Sequence, residues 1–304
     1  MPRRPAPPER TLRNLVALAV DTFERTGIVY GHGTTNALDE AAWLILHALG
    51  LPHDGPNARL DLPLTASQWA ATMKLVERRV LTRKPAAYLL HEAWLGDKRF
   101  YVDERVIVPR SYIAELLRGE EMVPGTISRE IVPGTISPVS ILDLCTGSGC
   151  LAILAALRFP DAAVDAADLS ADALEVARRN VRDYKLERRV RLVRSNLFAA
   201  LEGRKYDLIV SNPPYVKASS MARLPEEYRK EPAMALASGT DGLEHTRVIL
   251  AQAKRHLNPG GLLVVEIGRN RPALQKAYPD LPFEWPKTSA GRGWVFALRR
   301  EELP

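Results

Sequence analysis

The sequence predicts an α/β protein, a doubly wound sheet preceded by a small helical N-terminal domain. From Ser140 onward, short apolar runs alternate with amphipathic stretches of helical period. That is the pattern of parallel strands covered on both faces. Before residue 86 the apolar spacing is helical throughout. The chemically distinctive residues of the second region follow directly on strand-like runs. In open parallel sheets the carboxyl ends of the strands are where ligands bind.

The opening residues, MPRRPAPPER, are basic and proline-rich and lack the apolar core of a signal peptide; a disordered tail is expected over 1–10. Leu12, Leu15, Val16, Val20 and Phe23 predict a first helix. Asn36 caps a second, with Asp39 and Glu40 in its first turn and Gly50 at its stop. A third runs from Ser67 through Trp69, Met73, Val76 and Val80. Residues 11–86 are therefore expected to form a helical domain, with Trp43 and Trp69 in its core. Over 87–110, aromatic and β-branched residues flank Gly96 and Asp97, which predicts a β-hairpin linker. SYIAELLRGE (111–120) returns to a helical pattern and opens a second domain expected over 111–304. The hexapeptide VPGTIS stands at 123–128 and again at 132–137. Two copies make no repeat architecture, so 121–138 is expected to be a mobile surface loop. The strands expected next are VSILDLCTG, AAVDAADLS, RVRLVRSNLF, YDLIVSNPPY, LLVVEIG and GWVFALRR. LEHTRVILAQAKRHLNPGG predicts a helix ending at Asn258–Gly261.

Composition narrows the function classes. The 304 residues are 46% hydrophobic and 26% charged, as in globular proteins, and no apolar run is long enough to span a bilayer. Cys145 and Cys150 lie too close for a disulfide framework, and no Cys/His ligand set is present. A reducing, cytoplasmic setting is expected. The net charge of +6 favours acidic partners. The densest basic stretch, 177–191, reads first as a solvated helix face and second as a contact to nucleic acid such as rRNA.

DLCTGSG (143–149) ends the first strand of the second domain. Gly147 and Gly149 allow the backbone to approach a ligand, and a helix N-terminus follows. The next strand ends in Asp168, placed to accept the hydroxyls of a ribose. A nicotinamide dinucleotide is the first rival, but GSGCLA puts Leu151 and Ala152 where its third glycine would stand.

A second motif, Asn212-Pro213-Pro214-Tyr215, follows the fourth strand. Asn212 does not titrate, so it cannot serve a nucleophile that needs a general base. It suits a planar NH₂ instead. The Asn212 side-chain oxygen and the Pro213 carbonyl can accept its two N–H bonds, proline stiffness fixes their direction, and Tyr215 can stack on the flat group.

The D-L-x-T-G-S-G form resembles the first motif of S-adenosylmethionine (SAM)-dependent methyltransferases. That resemblance implies a Rossmann-like catalytic domain with SAM as cofactor. It implies Asp143 near the methionine end, Asp168 at the ribose and Asn196 beside the adenine, with Thr146, Gly147, Ser148, Gly149, Leu169, Leu197 and Asn212 as further cofactor-binding residues. Asn196 departs from the family, which usually has Asp there. The tetrapeptide resembles those of amino methyltransferases acting on adenine, on guanine in ribosomal RNA and on glutamine amides. YGHGTTNALDEA (30–41) and RFYVDERVIVPRSYIAELL (99–117) resemble the PrmB-type ribosomal-protein glutamine methyltransferases. YRKEPAMALASGTDGLEHTRVIL (228–250) resembles the wider HemK/PrmC-like glutamine amide methyltransferases. The release-factor branch tends to read IPRPDTE where this chain has VPRSYIAEL. The resemblance implies methylation of a glutamine amide nitrogen in a large-subunit ribosomal protein, free or in an assembly intermediate, chosen by the helical domain. Its rivals are amino methylation of a nucleobase in rRNA or DNA, methylation of a release-factor glutamine, and a non-catalytic SAM-binding assembly factor. His32 reads as structural before it reads as a substrate contact, and Arg110 and Ser111 stand as candidates for residues near the cofactor.

Overall fold

The computed structural model describes residues 9–52, 59–119 and 138–304. Most of the expected N-terminal tail and both VPGTIS copies lie outside the described residues. The chain divides into two compact units, Met1–Glu92 with Pro225–Lys230, and Ala93–Leu224 with Glu231–Pro304.

The first unit is helical. Helix α1 (Leu12–Arg25) starts at Thr11, whose side chain accepts from Asn14 N, and it buries Leu12, Leu15, Val16, Ala19 and Phe23. Helix α2 (Ala37–Ala48) is capped by Asn36, whose Oδ1 accepts from Asp39 N at 2.9 Å. Helix α3 (Ala66–Thr82) begins one turn-residue earlier than its apolar spacing suggests, because Thr65 and Gln68 form a reciprocal capping box. Trp43 is buried, but Trp69 is only half-buried. The inward face of α3 is Thr72, Val76 and Arg79 instead.

Arg79 explains that face. It is fully buried, and its Nε donates to Glu40 Oε1 while Nη2 donates to the Val29 carbonyl at 3.2 Å. Thr34 Oγ1 donates to the other oxygen of Glu40 at 2.6 Å. Glu227, also buried, accepts from Val29 N at 3.1 Å and from Arg83 Nη1 at 3.0 Å. A buried cation between two carboxylates fixes which way α3 faces, since no other register satisfies these charges. Helix α4 (Ala86–Leu90) stands where the linker was expected to begin. Pro85 sets its start, and all five of its residues are buried.

The second unit opens with the hairpin β1 (Ala93–Leu95) and β2 (Lys98–Phe100), antiparallel, turning at Gly96 (φ +64°). Helix α5 (Ile113–Arg118) follows. The main elements are then β3 (Ser140–Leu144), α6 (Cys150–Arg158), β4 (Ala163–Asp168), α7 (Ala171–Asp183), β5 (Val190–Arg194), β6 (Tyr206–Ser211), α8 (Ala218–Met221), α9 (Glu244–His256), β7 (Leu257–Glu266), α10 (Arg271–Ala277), the small ladder β8 (Lys287–Thr288) and β9 (Gly291–Arg292), and β10 (Val295–Arg299). The six-stranded sheet runs β10-β7-β6-β3-β4-β5. All its pairs are parallel except β10 with β7. Alternate residues face opposite cores: Ile141, Leu208, Val210, Leu262 and Val264 on one side with α5 and α6, and Leu142, Leu144, Ile209, Leu263 and Val265 on the other with α9.

Two expectations are revised. The last strand is antiparallel to β7, and the connection 267–294 that leads to it carries α10 and the small ladder of β8 and β9. Helix α9 ends at His256, and LNPGG belongs to β7, where Leu257 pairs with Tyr206 across a shifted register. Asn258 Nδ2 holds the bulge by donating to Asp207 Oδ1 at 2.7 Å. The basic stretch splits in role. Arg178, Arg179 and Arg182 lie on the exposed face of α7, while Arg191 pairs with Asp165 at 2.7 Å. No helix among the described residues is long and apolar enough to cross a membrane.

Replacing Arg79 with Ala leaves Glu40 buried without its cation. The expected loss is about 3–5 kcal/mol, read as a fall in the guanidinium unfolding midpoint. Arg78→Ala, one residue away on the exposed face, is expected to change stability by less than about 0.5 kcal/mol.

Candidate active site

The order of the sheet reverses beside β3, with β4 and β5 on one side and β6 and β7 on the other. The ends of β3 and β6 are paired there, Leu144 opposite Ser211. The loop 145–149 and the Asn212–Tyr215 motif therefore leave the sheet side by side. Ser211 is fully buried, and its Oγ donates to the Leu144 carbonyl at 2.7 Å.

The loop is shaped by its own acids. Asp143 is wholly buried, and its Oδ2 accepts from Thr146 Oγ1 and from Ala152 N at 2.9 Å. Burial pushes its carboxyl up to about 7 against the pull of those donors. Asp168, at the end of β4, accepts from Gly147 N at 2.8 Å and Ser170 N at 2.9 Å. Burial raises its pKa too. Gly147 (φ +55°) has open space where a Cβ would point. Gly149 (φ +80°) is closed in, because a Cβ there would lie 3.1 Å from Ala177 Cβ on α7. One glycine thus keeps the loop open to a ligand, and the other lets two helices approach. Asn180 of α7 ties the loop down, donating to the Ser148 carbonyl at 2.8 Å and exchanging bonds with Tyr101.

Above these ends lies an open cleft of about 730 Å³, solvent at its mouth included. Of the residues named from the sequence, Gly147, Asp168, Leu169, Asn196, Leu197, Asn212 and Pro214 line it. Asp143, Thr146, Ser148, Gly149, Pro213 and Tyr215 are not among the lining residues. The first four support the loop from behind. Tyr215 points its ring at Gly268, where a Cβ would lie 2.7 Å from the ring, and its hydroxyl reaches Glu266 Oε1 at 3.4 Å. Asn270 Nδ2 holds the Tyr215 carbonyl at 2.8 Å.

Several lining residues lie within the quoted stretches but were not singled out there as site residues: Arg105, Val106 and Ile107, Cys145, and Met234 with Ala235 and His245. Cys145 (φ +63°) and Leu197 (φ +48°) hold left-handed backbone that non-glycine residues avoid, strain of a kind that collects at ligand sites. The buried acid Glu266 was also missed, although an acid closing an apolar strand, VVEIG, is a legible oddity. Its Oε2 accepts from Ser111 Oγ at 2.7 Å and Tyr112 N at 2.9 Å. Ser111 thus acts on Glu266 rather than on the cleft, and Arg110 pairs with Glu231. His32 is buried in the helical unit against the ring of Tyr228. Among the described residues no cluster of His, Cys, Asp and Glu could hold a metal ion.

Two features show what the cleft can accept. Asn212 Oδ1 and Asp143 Oδ1 are buried and have no hydrogen-bond partner among the described residues. A buried acceptor left unmade costs about 1–3 kcal/mol, so Asn212 Oδ1, in a residue that lines the cleft, suits a ligand donor. The N–H groups of Gly147, Gly149 and Ala152 are already committed within the protein. Pyrophosphate would need such groups free. With the Asp168 carboxyl in its lining, the cleft favours a ligand with hydroxyl donors.

Comparison with known proteins agrees with this chemistry. Residues 135–242 match the methyltransferase small domain, and residues 30–90 match the PrmC N-terminal domain. The ribosomal protein uL3 glutamine methyltransferase of Neisseria meningitidis serogroup B is 54% identical over 96% of this chain and 94% of its own length. Its namesake in Burkholderia pseudomallei is 49% identical over 98% of this chain and 97% of its own. Among solved structures, the hMettl16 catalytic domain in complex with a MAT2A 3′UTR hairpin aligns with a TM-score of 0.50 at 15% identity, over 84% of this chain and 89% of that one. That likeness shows the fold.

Glu266 gives the site a pH signature. Its carboxyl is raised from 4.5 to about 7, chiefly by burial. The folded state therefore holds a proton that the unfolded state releases, and this contribution to stability is lost as pH rises through that window. Between pH 5 and 8, Glu266→Gln should gain on the parent protein by up to about 3 kcal/mol. Unfolding midpoints across pH test this; parallel curves for the two proteins would refute it.

Proposed function

The chain belongs to the ribosomal protein uL3 glutamine methyltransferase family, and from that premise we propose that it transfers a methyl group from SAM to the side-chain amide nitrogen of a glutamine in that ribosomal protein. The observation that carries the site assignment is Asn212 Oδ1, a buried acceptor with no partner among the described residues, in a residue that lines the cleft.

SAM fits the residues present. It carries ribose hydroxyls for Asp168, which lines the cleft, and N–H donors for the buried Asn212 Oδ1. When bound, it supplies an electrophilic methyl on sulfur. We assign Asp168 and Leu169 to its ribose, Asn196 and Leu197 to its adenine, and Gly147, Asp143 and Asn212 to its methionine end. Thr146, Ser148 and Gly149 hold that loop in shape.

Asn212 and the Pro213 carbonyl take the two N–H bonds of the glutamine amide. Two acceptors draw electron density back to a nitrogen whose lone pair is otherwise delocalised. They also fix its direction, and in a displacement reaction positioning supplies much of the rate. Pro213 and Pro214 keep the two acceptors rigid. Tyr215 pins the motif through Glu266 and Gly268, so its role is support of the acceptors rather than stacking on the amide. The amide proton is lost to solvent after transfer, which is why no titrating base is required. The helical unit, matched by the PrmC N-terminal domain, is assigned to choosing the protein substrate. A ribosomal substrate supports a cytoplasmic setting for the activity.

Methyl-labelled SAM, purified uL3 and ribosomal assembly particles provide the test, alongside Asn212→Ala. Label is expected on one glutamine of uL3, and the variant is expected to fall at least about 100-fold in kcat. Label on RNA would overturn the substrate. SAM binding with no transfer to any acceptor would favour an assembly factor.

A further inference from the structure

Two stretches of cleft lining have little regular structure to hold them. Arg105–Ile107 lies in the segment 101–111, between β2 and α5, which contains neither helix nor strand. Pro232, Met234 and Ala235 come from the long connection between β6 and α9. Glu231 stands immediately before the second stretch, and Val108 and Arg110 stand just after the first. Glu231 is 4% exposed. Its Oε1 accepts from Val108 N at 2.9 Å and from Arg110 Nη1 at 2.6 Å, and its Oε2 accepts from Arg110 Nη2 at 2.6 Å. Arg110 Nη1 also donates back to the Val108 carbonyl at 3.2 Å. This is a bidentate, charge-assisted pair that includes the backbone of the residue next to Ile107.

We propose that Glu231 and Arg110 are a positioning pair that fixes the Ile107 and Met234 parts of the SAM cleft relative to each other. Neither residue touches the ligand. The inference rests on the SAM reading of the cleft. A buried pair adds little net stability against an apolar replacement, and its use is to specify one arrangement. Here the arrangement specified is the spacing of the 101–111 segment and the short 3-10 turn Ala233–Ala235, which share one ligand.

The pair predicts a separation of folding from binding. Glu231→Gln keeps an oxygen for Val108 N–H but removes the charge facing Arg110. Arg110→Lys keeps the charge and loses the fork. SAM affinity of the full chain is measured by calorimetry for each variant and for the double variant, with thermal midpoint and circular dichroism reporting folding. Each folded single variant is expected to bind SAM about tenfold more weakly, and the double no worse than the weaker single, because one interaction is lost once. Affinity within about twofold of the parent in a folded variant would overturn the proposal, as would fully additive losses. If Glu231→Gln does not fold, Arg110→Lys alone decides. Affinity is read without a methyl acceptor, so an error in the substrate assignment and an error in this inference are told apart.

Discussion

The hydrogen bond from Ser211 Oγ to the Leu144 carbonyl marks the constraint on which the catalytic unit depends. It exists because the chain lays β4 and β5 on one side of β3 and returns to the other side for β6 and β7. At such a reversal the following connections diverge to opposite faces and leave a crevice at the strand ends. The two loops that matter emerge there from adjacent strands, a separation of about 4.8 Å. One more strand between them would double that distance and part the loop of Gly147 from Asn212. The alternating burial of β3, β6 and β7 serves this constraint, since both faces must be apolar for three parallel strands to lie at the centre of the sheet.

The electrostatics follow from placing acids at those ends. Asp143 and Asp168 are held where desolvation works against their charge, and backbone N–H groups of the glycine loop partly compensate. The same bonds remove those groups from service as an anion cradle. A loop that looks in sequence like a phosphate grip has therefore become a frame for carboxylates. The left-handed residues Cys145 and Leu197 belong to the same economy of shape. The strand ends must turn sharply around a ligand, and strain at a binding edge is tolerated when the sheet beneath fixes both flanks.

Much of this was legible in the sequence because the signals were local. Asn36 capping α2, the alternation of β3 through β6, the glycines after Leu144 and the Asn-Pro-Pro-Tyr stop all act within a few residues of themselves. What escaped depends on partners far along the chain. Arg79 reads as one more charge on an amphipathic helix, and only Glu40 and Glu227 turn it inward at the expense of Trp69. The residues 86–90 read as extended because their composition is apolar and aromatic, but complete burial after Pro85 favours a compact turn of helix. The start of β7 at Leu257 was hidden by Asn258-Pro259-Gly260-Gly261, which reads as a stop signal and serves as a bulge pinned by Asp207. Tyr215 was placed by chemical suitability for a flat substrate group, whereas Gly268 and Glu266, more than fifty residues on, decide where its ring lies.

Glu227 and Glu231 show how one connection can carry two precise placements. Both are buried carboxylates on the segment between the Asn-Pro-Pro-Tyr motif and α9, and each meets an arginine and a backbone N–H. Glu227 does so in the helical unit and Glu231 in the catalytic one. A shift of one residue along this segment would put Glu226 or Tyr228, and Lys230 or Pro232, at those positions. Either slip takes the carboxylate away from Arg110, and the slip that brings in Tyr228 takes it from Arg83 as well. Such an uncompensated charge costs several kcal/mol, far more than any apolar contact a slipped loop could recover. An apolar anchor would tolerate a neighbouring register, because leucine and methionine exchange at small cost. Charge does not, and that intolerance lets a long irregular connection deliver Pro232, Met234 and Ala235 to one place in the cleft.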